Sequence, residues 1–213
     1  MLRGTCGRRR DRSQKNSESI LKVFLSSVGS WRWHILDWFP ECAGSLGLAY
    51  ALAGRLTDAL PLLEQAVEQE VTMRGSHDAL RITALSQGYL LSGRLEEAEA
   101  HAERALVLAH EHQERCIQAY ALWLLGEIAA RCDSPEVELA AAHHYQALAL
   151  ANALGMRPLQ AHCHRGLGML YAATGQPEQA APALSAAITL YRAMDMTFWL
   201  PLTESALAQV EAQ

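Results

Sequence analysis

The sequence predicts an all-α fold, a right-handed superhelix of stacked helix pairs closed by a C-terminal capping helix. Three observations lead there. Ala and Leu dominate the 213 residues, half of which are apolar and only 7% aromatic; such a composition favours helices, because Ala and Leu lose little freedom in them. One pattern recurs four times, with spacings of 39, 40 and 42 residues. Within each copy the apolar and small residues fall at helical intervals.

The copies are SLGLAYALAGRLTDALPLLEQAV (45–67), ALSQGYLLSGRLEEAEAHAERAL (84–106), LLGEIAARCDSPEVELAAAHHYQAL (124–148) and GLGMLYAATGQPEQAAPALSAAI (166–188). The second residue of each is a Leu (Leu46, Leu85, Leu125, Leu167), followed by a small residue (Gly47, Ser86, Gly126, Gly168). Tyr50, Tyr89, Ala129 and Tyr171 come three residues later, one turn from the Leu and on the same face of a first helix. The small residue lets a second helix approach closely. Gly54, Gly93 and Gly175 then end the first helix, with Asp133 in their place in the third copy. Ala59, Ala98, Ala140 and Ala180, each followed seven residues on by Ala66, Ala105, Ala147 and Ala187, form the packing stripe of the second helix. One such pair cannot bury its apolar face alone, so the pairs must stack.

In order, the expected helices are 41–53 and 56–72, 77–92 and 95–112, 115–131 and 136–154, 158–174 and 177–194, then a last helix over 197–212. Pro135 and Pro177 stand near helix starts, where a missing N–H does no harm. Asp133 or Ser134 is suited to cap the helix that begins there. The last helix covers the exposed face of the fourth pair. The chain therefore reads as a basic N-terminal segment (1–40), four repeats (41–196) and a capping helix (197–213).

Charge divides along the same line. Residues 1–22 hold seven basic groups against Asp11 and Glu18, whereas the chain as a whole carries 18 basic and 23 acidic residues. The repeats are thus strongly acidic and repel a phosphate backbone, so they are not expected to bind nucleic acid. The basic start reads as a solvated, disordered tail or as a remnant N-terminal segment. Within the unmatched segment, WRWHILDWF (31–39) is apolar enough to dock on the first repeat or to offer a partner patch. No apolar run reaches the roughly 18 residues that span a bilayer. Lys22 interrupts the short run 20–29, which argues against a signal peptide. Five cysteines without CxxC spacing read as reduced thiols, and the expected location is the cytoplasm.

Candidate chemistry is sparse. His162-Cys163-His164, His143-His144, and the pair His110 and His112 lack the i, i+3 or i, i+4 spacing that converges on one ion, so no metal is expected. Cys163 beside His164 has no third group to orient a base, and nothing else suggests a catalytic residue or a cofactor. If the first helices line a concave face, the positions three before and one after the small residue point into it. These are Thr83 and Gln87, Trp123 and Glu127, and Arg165 and Met169, with Tyr120 and His162 one turn earlier. A protein or peptide partner in that groove would find Trp123 as an anchor and Glu127 and Arg165 for charge.

These units match tetratricopeptide repeats in kind, although their period exceeds the usual 34 residues. The segments 45–69, 88–109, 121–130, 143–176 and 191–200 resemble the C-terminal repeat region of large bacterial proteins that join a nucleotidyl cyclase domain, a nucleotide-binding ATPase domain and a tetratricopeptide tail. GMRPLQAHCHRGLG and YRAMDMTFWL carry the resemblance most specifically. It implies a noncatalytic, regulatory protein-interaction module. Related tails in transcriptional activators of the maltose-regulator type imply an alternative, a ligand-sensing repeat region. Neither a GxxxxGK[ST] phosphate loop nor the paired aspartates of a cyclase occur, so neither activity carries over to any residue here.

Overall fold

The computed structural model describes residues 42–68, 78–132 and 136–212. Among them are nine helices and no strand: α1 (42–52), α2 (Leu56–Glu68), α3 (Asp78–Leu91), α4 (Leu95–Glu111), α5 (Arg115–Ala129), α6 (Val137–Ala153), α7 (Arg157–Ala173), α8 (Pro177–Ala193) and α9 (Leu200–Glu211). The expectations for residues 1–40, for the cap at Asp133 or Ser134 and for Pro135 lie outside the described residues. The helices belong to one unit, Ala43–Gln213. Every expected helix is present. The expected end of the second helix, 69–72, also lies outside the described residues; elsewhere the largest difference is at α9, which starts at Leu200 and not at 197, because Pro201 occupies its first turn and residues 197–199 form a turn instead.

The first-to-second helix turn repeats one chemistry. Gly54, Gly93 and Gly175 hold φ of +77°, +79° and +70°, which a side chain would strain. The next residue's N–H then reaches back to the tyrosine carbonyl, Arg55 to Tyr50 at 2.8 Å, Arg94 to Tyr89 at 3.0 Å and Gln176 to Tyr171 at 2.9 Å. These bonds satisfy carbonyls that the helix end leaves open. In the first two pairs an arginine follows the glycine and stacks on the same tyrosine, 4.2 Å from Tyr50 for Arg55 and 4.3 Å from Tyr89 for Arg94.

The alanine stripe is closed completely: Ala59, Ala98, Ala140 and Ala180 have no exposed surface, nor do Ala105, Ala147 and Ala187. The small residue opposite them works as the sequence suggests. A Cβ on Gly168 would lie 2.6 Å from Leu184, one on Gly47 would lie 2.8 Å from Leu63, and one on Gly126 would meet the His144 ring at 2.9 Å. In the second pair Ser86 fills this place and its hydroxyl donates to the Ala98 carbonyl at 2.7 Å. The leading leucine is buried at 85, 125 and 167, whereas Leu46 is 46% exposed at the outer end of the described stack. Replacing Ala98 or Ala180 with leucine should overpack this seam and lower stability by roughly 1–3 kcal/mol; a melting temperature that neither substitution moves would show that the stripe is not the packing seam.

From α2 to α9 consecutive helices pack on one another, and the first helices of successive pairs also touch, α3 with α5, α5 with α7, and α7 with α9. The second helices do not approach one another to that degree. The layer of first helices is therefore the tighter, inner side of the solenoid, and it carries the candidate site.

Candidate functional site

Along α5, Tyr120, Trp123 and Glu127 lie at intervals of three and four residues, and His162, Arg165 and Met169 repeat that spacing on α7. Because α5 and α7 are neighbours on the inner side, the two stripes meet and separate into two groups.

The first group is aromatic. Tyr120 meets Trp123 edge-on at 6.5 Å, and Trp123 meets the His162 ring at 5.4 Å. The row continues into residues that sequence reasoning did not single out. His162 lies 5.5 Å from Tyr191 and 5.0 Å from Trp199, and Phe198 lies 5.0 Å from Trp199. Nδ1 of His162 and the Tyr191 hydroxyl share a hydrogen bond of 2.7 Å. Burial pushes His162 down to about 4; nearby Glu127 opposes the shift, and Arg165 adds to it. Within YRAMDMTFWL, the clustering of Tyr191, Phe198 and Trp199 was the available signal for this extension.

The second group is a pocket of about 350 Å³ between α5 and α7, which Glu127, Arg165 and Met169 line together. Glu127 is only 8% exposed, and its carboxylate accepts a charge-assisted bond from Arg131 at 2.9 Å. Arg165 makes no ion pair among the described residues; its guanidinium lies 5.4 Å from the Trp199 ring, and its Nε is buried without a hydrogen-bond partner. Met169 is 41% exposed.

Gln87 lies half-buried on α3, in neither group. Thr83 is buried and its hydroxyl donates to the Ala79 carbonyl at 2.6 Å, so it presents nothing to a groove. Trp123 is only 7% exposed, and its indole N–H has no partner; its place is among packed rings more than on an open surface.

Behind the pocket, His144 on α6 is fully buried, and neither ring nitrogen has a hydrogen-bond partner. Its Nε2 lies 3.9 Å from Glu127, and burial lowers its pKa. Gly126 and Gly166 leave room for the ring from either side. The equivalent position in the first and fourth pairs, four residues after the stripe alanine, holds Leu63 and Leu184, both buried. His144→Leu should therefore raise stability by about 1–2 kcal/mol, since it removes two buried unpaired nitrogens. A urea midpoint lower than that of the parent would contradict this.

Burial pushes the Cys163 thiol up to about 12, which keeps it protonated and unreactive. Among the described residues no group of three or more His, Cys, Asp or Glu is placed to hold a metal ion. No described helix is long and apolar enough to cross a membrane.

No family model matches the chain, and no curated protein does. Solved structures do. A kinesin light chain-like protein of Podosopora anserina with nearly identical TPR-like repeats aligns over 81% of this chain and 93% of its own, with a TM-score of 0.56 and 19% identity. A single-substitution form of that protein aligns over 84% of this chain and 95% of its own, with a TM-score of 0.57 and 19% identity. The fold is a TPR-like repeat solenoid. In TPR-like terms, α1 to α8 are four helix pairs and α9 is an additional first helix, which brings Trp199 to the inner side beside α7.

Proposed function

We propose that the chain is a noncatalytic, cytoplasmic protein-interaction module that takes a protein or peptide partner along the inner layer of first helices. The observation that carries this reading is the α5–α7–α9 strip itself, where the half-buried rings of Tyr120, His162 and Trp199 and the exposed Phe198, packed over buried Trp123 and Tyr191, lie beside an apolar pocket with a cation, Arg165, and an exposed Met169. Aromatic and arginine side chains over apolar surface are what binding hot spots are made of.

The finer reading is that the partner is the body of a cyclase–ATPase signalling protein. It draws support from where the most specific segments of that resemblance fall. GMRPLQAHCHRGLG supplies His162 and Arg165, and YRAMDMTFWL supplies Tyr191, Phe198 and Trp199, so both contribute to the strip. The full chain, immobilised, should retain a cyclase–ATPase protein deprived of its own repeat tail, and Met169→Glu should abolish retention without unfolding the chain. Equal retention by both forms, or none by either, would rule the reading out. The alternative, a ligand-sensing tail of the maltose-regulator type, is favoured by the pocket, which is of small-molecule size. A helix-turn-helix reading frame adjoining this gene would favour it over the first.

A further inference from the structure

We infer that the pocket between α5 and α7 is a binding site for a small amphipathic anion, a short apolar body ending in one carboxylate. The inference rests on the pocket alone and holds whether or not a protein partner docks on the inner layer.

Size comes first. The pocket holds about 350 Å³, near the lower end of the roughly 300–1,000 Å³ that small-ligand sites span. Its walls are mostly apolar, with Ala130, Val137, Leu170 and Ala173 beside Met169. An apolar body gains by leaving water for such a surface.

Charge then selects the head group. Three ionised side chains line the pocket, Glu127, Arg131 and Arg165. Glu127 and Arg131 neutralise each other at 2.9 Å. That leaves Arg165 as a cation with no ion pair among the described residues and with its Nε–H buried and unbonded. An unpartnered buried donor carries a desolvation penalty that an entering acceptor relieves. A carboxylate answers both needs, since it accepts from guanidinium N–H groups in a charge-assisted geometry. An ammonium would face two guanidiniums and a carboxylate already engaged. A polyhydroxylated ligand would find few free polar partners, as the Thr174 hydroxyl already donates to the Leu170 carbonyl at 3.0 Å.

Octanoate is a suitable probe, with octylammonium and 1-octanol as charge controls, titrated into the full chain by calorimetry and followed by tryptophan fluorescence. The expected result is saturable one-site binding of octanoate in the millimolar range or tighter, with octanol about tenfold weaker and octylammonium not bound. Arg165→Gln should weaken octanoate by about tenfold or more and erase its advantage over octanol. Ala173→Leu places bulk at an exposed residue of the pocket wall, and should abolish binding of all probes while the melting curve stays unchanged. If Arg165→Gln melts early, Ala173→Leu decides alone. Octylammonium bound as well as octanoate, octanoate binding that survives Ala173→Leu, or no saturable binding up to about 10 mM would each overturn the inference. Retention of a protein partner is scored separately, so the two readings can fail independently.

Discussion

Replacing Trp123 with alanine should destabilise the chain by about 3–5 kcal/mol, the usual range for removing a buried large aromatic. In a chain of this size that lowers the melting temperature by roughly 6–20 °C. The indole is 7% exposed and touches Tyr120 on its own helix and His162 on α7, so its removal opens a hole between the third and fourth pairs. The measurement is urea unfolding of the parent and Trp123→Ala. A groove anchor would behave differently: partner retention would fall while the unfolding curve stayed in place. An unmoved midpoint would return Trp123 to the surface role that its helical position suggests.

Acid should be nearly as damaging. His162 titrates at about 4 in the folded chain against an ordinary 6.5, because burial disfavours its charged form. His144 is lowered for the same reason. Above 6.5 both rings are neutral folded or unfolded, and stability is undiminished. As pH falls below 6.5 the unfolded chain takes up protons that the folded chain cannot, and stability drops until the folded His162 ring is itself protonated near pH 4. For His162 the full loss is roughly 3 kcal/mol. Urea midpoints at about pH 7.5 and 4.5, on either side of most of that window, measure it. His162→Gln keeps a hydrogen-bonding partner for the Tyr191 hydroxyl and does not titrate, so its midpoint should fall less over that interval, by His162's share, while His143, His144 and His164, also lowered by burial, keep theirs. Equal acid sensitivity in parent and variant would place the origin elsewhere.

The two stripes of the site were readable before any coordinates, since Tyr120, Trp123 and Glu127 on one helix and His162, Arg165 and Met169 on another follow helical periodicity within aligned repeats. Their company was not. Tyr191 lies in the last turn of α8 and Trp199 precedes α9, and the packing of α8 and then α9 on α7 brings the two rings onto His162. Glu127 looked like a free charge for a partner, yet Arg131 one turn on and His144 from α6 enclose it.

What the sequence by itself determined is the repeat: the helix pairs, the glycine turns and the alanine stripe. These depend on residues close along the chain and on a pattern stated four times, so local propensity and periodicity carry them. In the third pair His144 stands where the first and fourth pairs have leucine and the second has Ala102, a difference whose consequence shows only in the packed structure. Tertiary structure alone decided which polar atoms lose their water. Trp123 Nε1, Arg165 Nε and both His144 nitrogens are buried without partners, a condition set by how neighbouring pairs close over one another. Solvation is a property of the assembled interface, and no residue's own position in the chain specifies it.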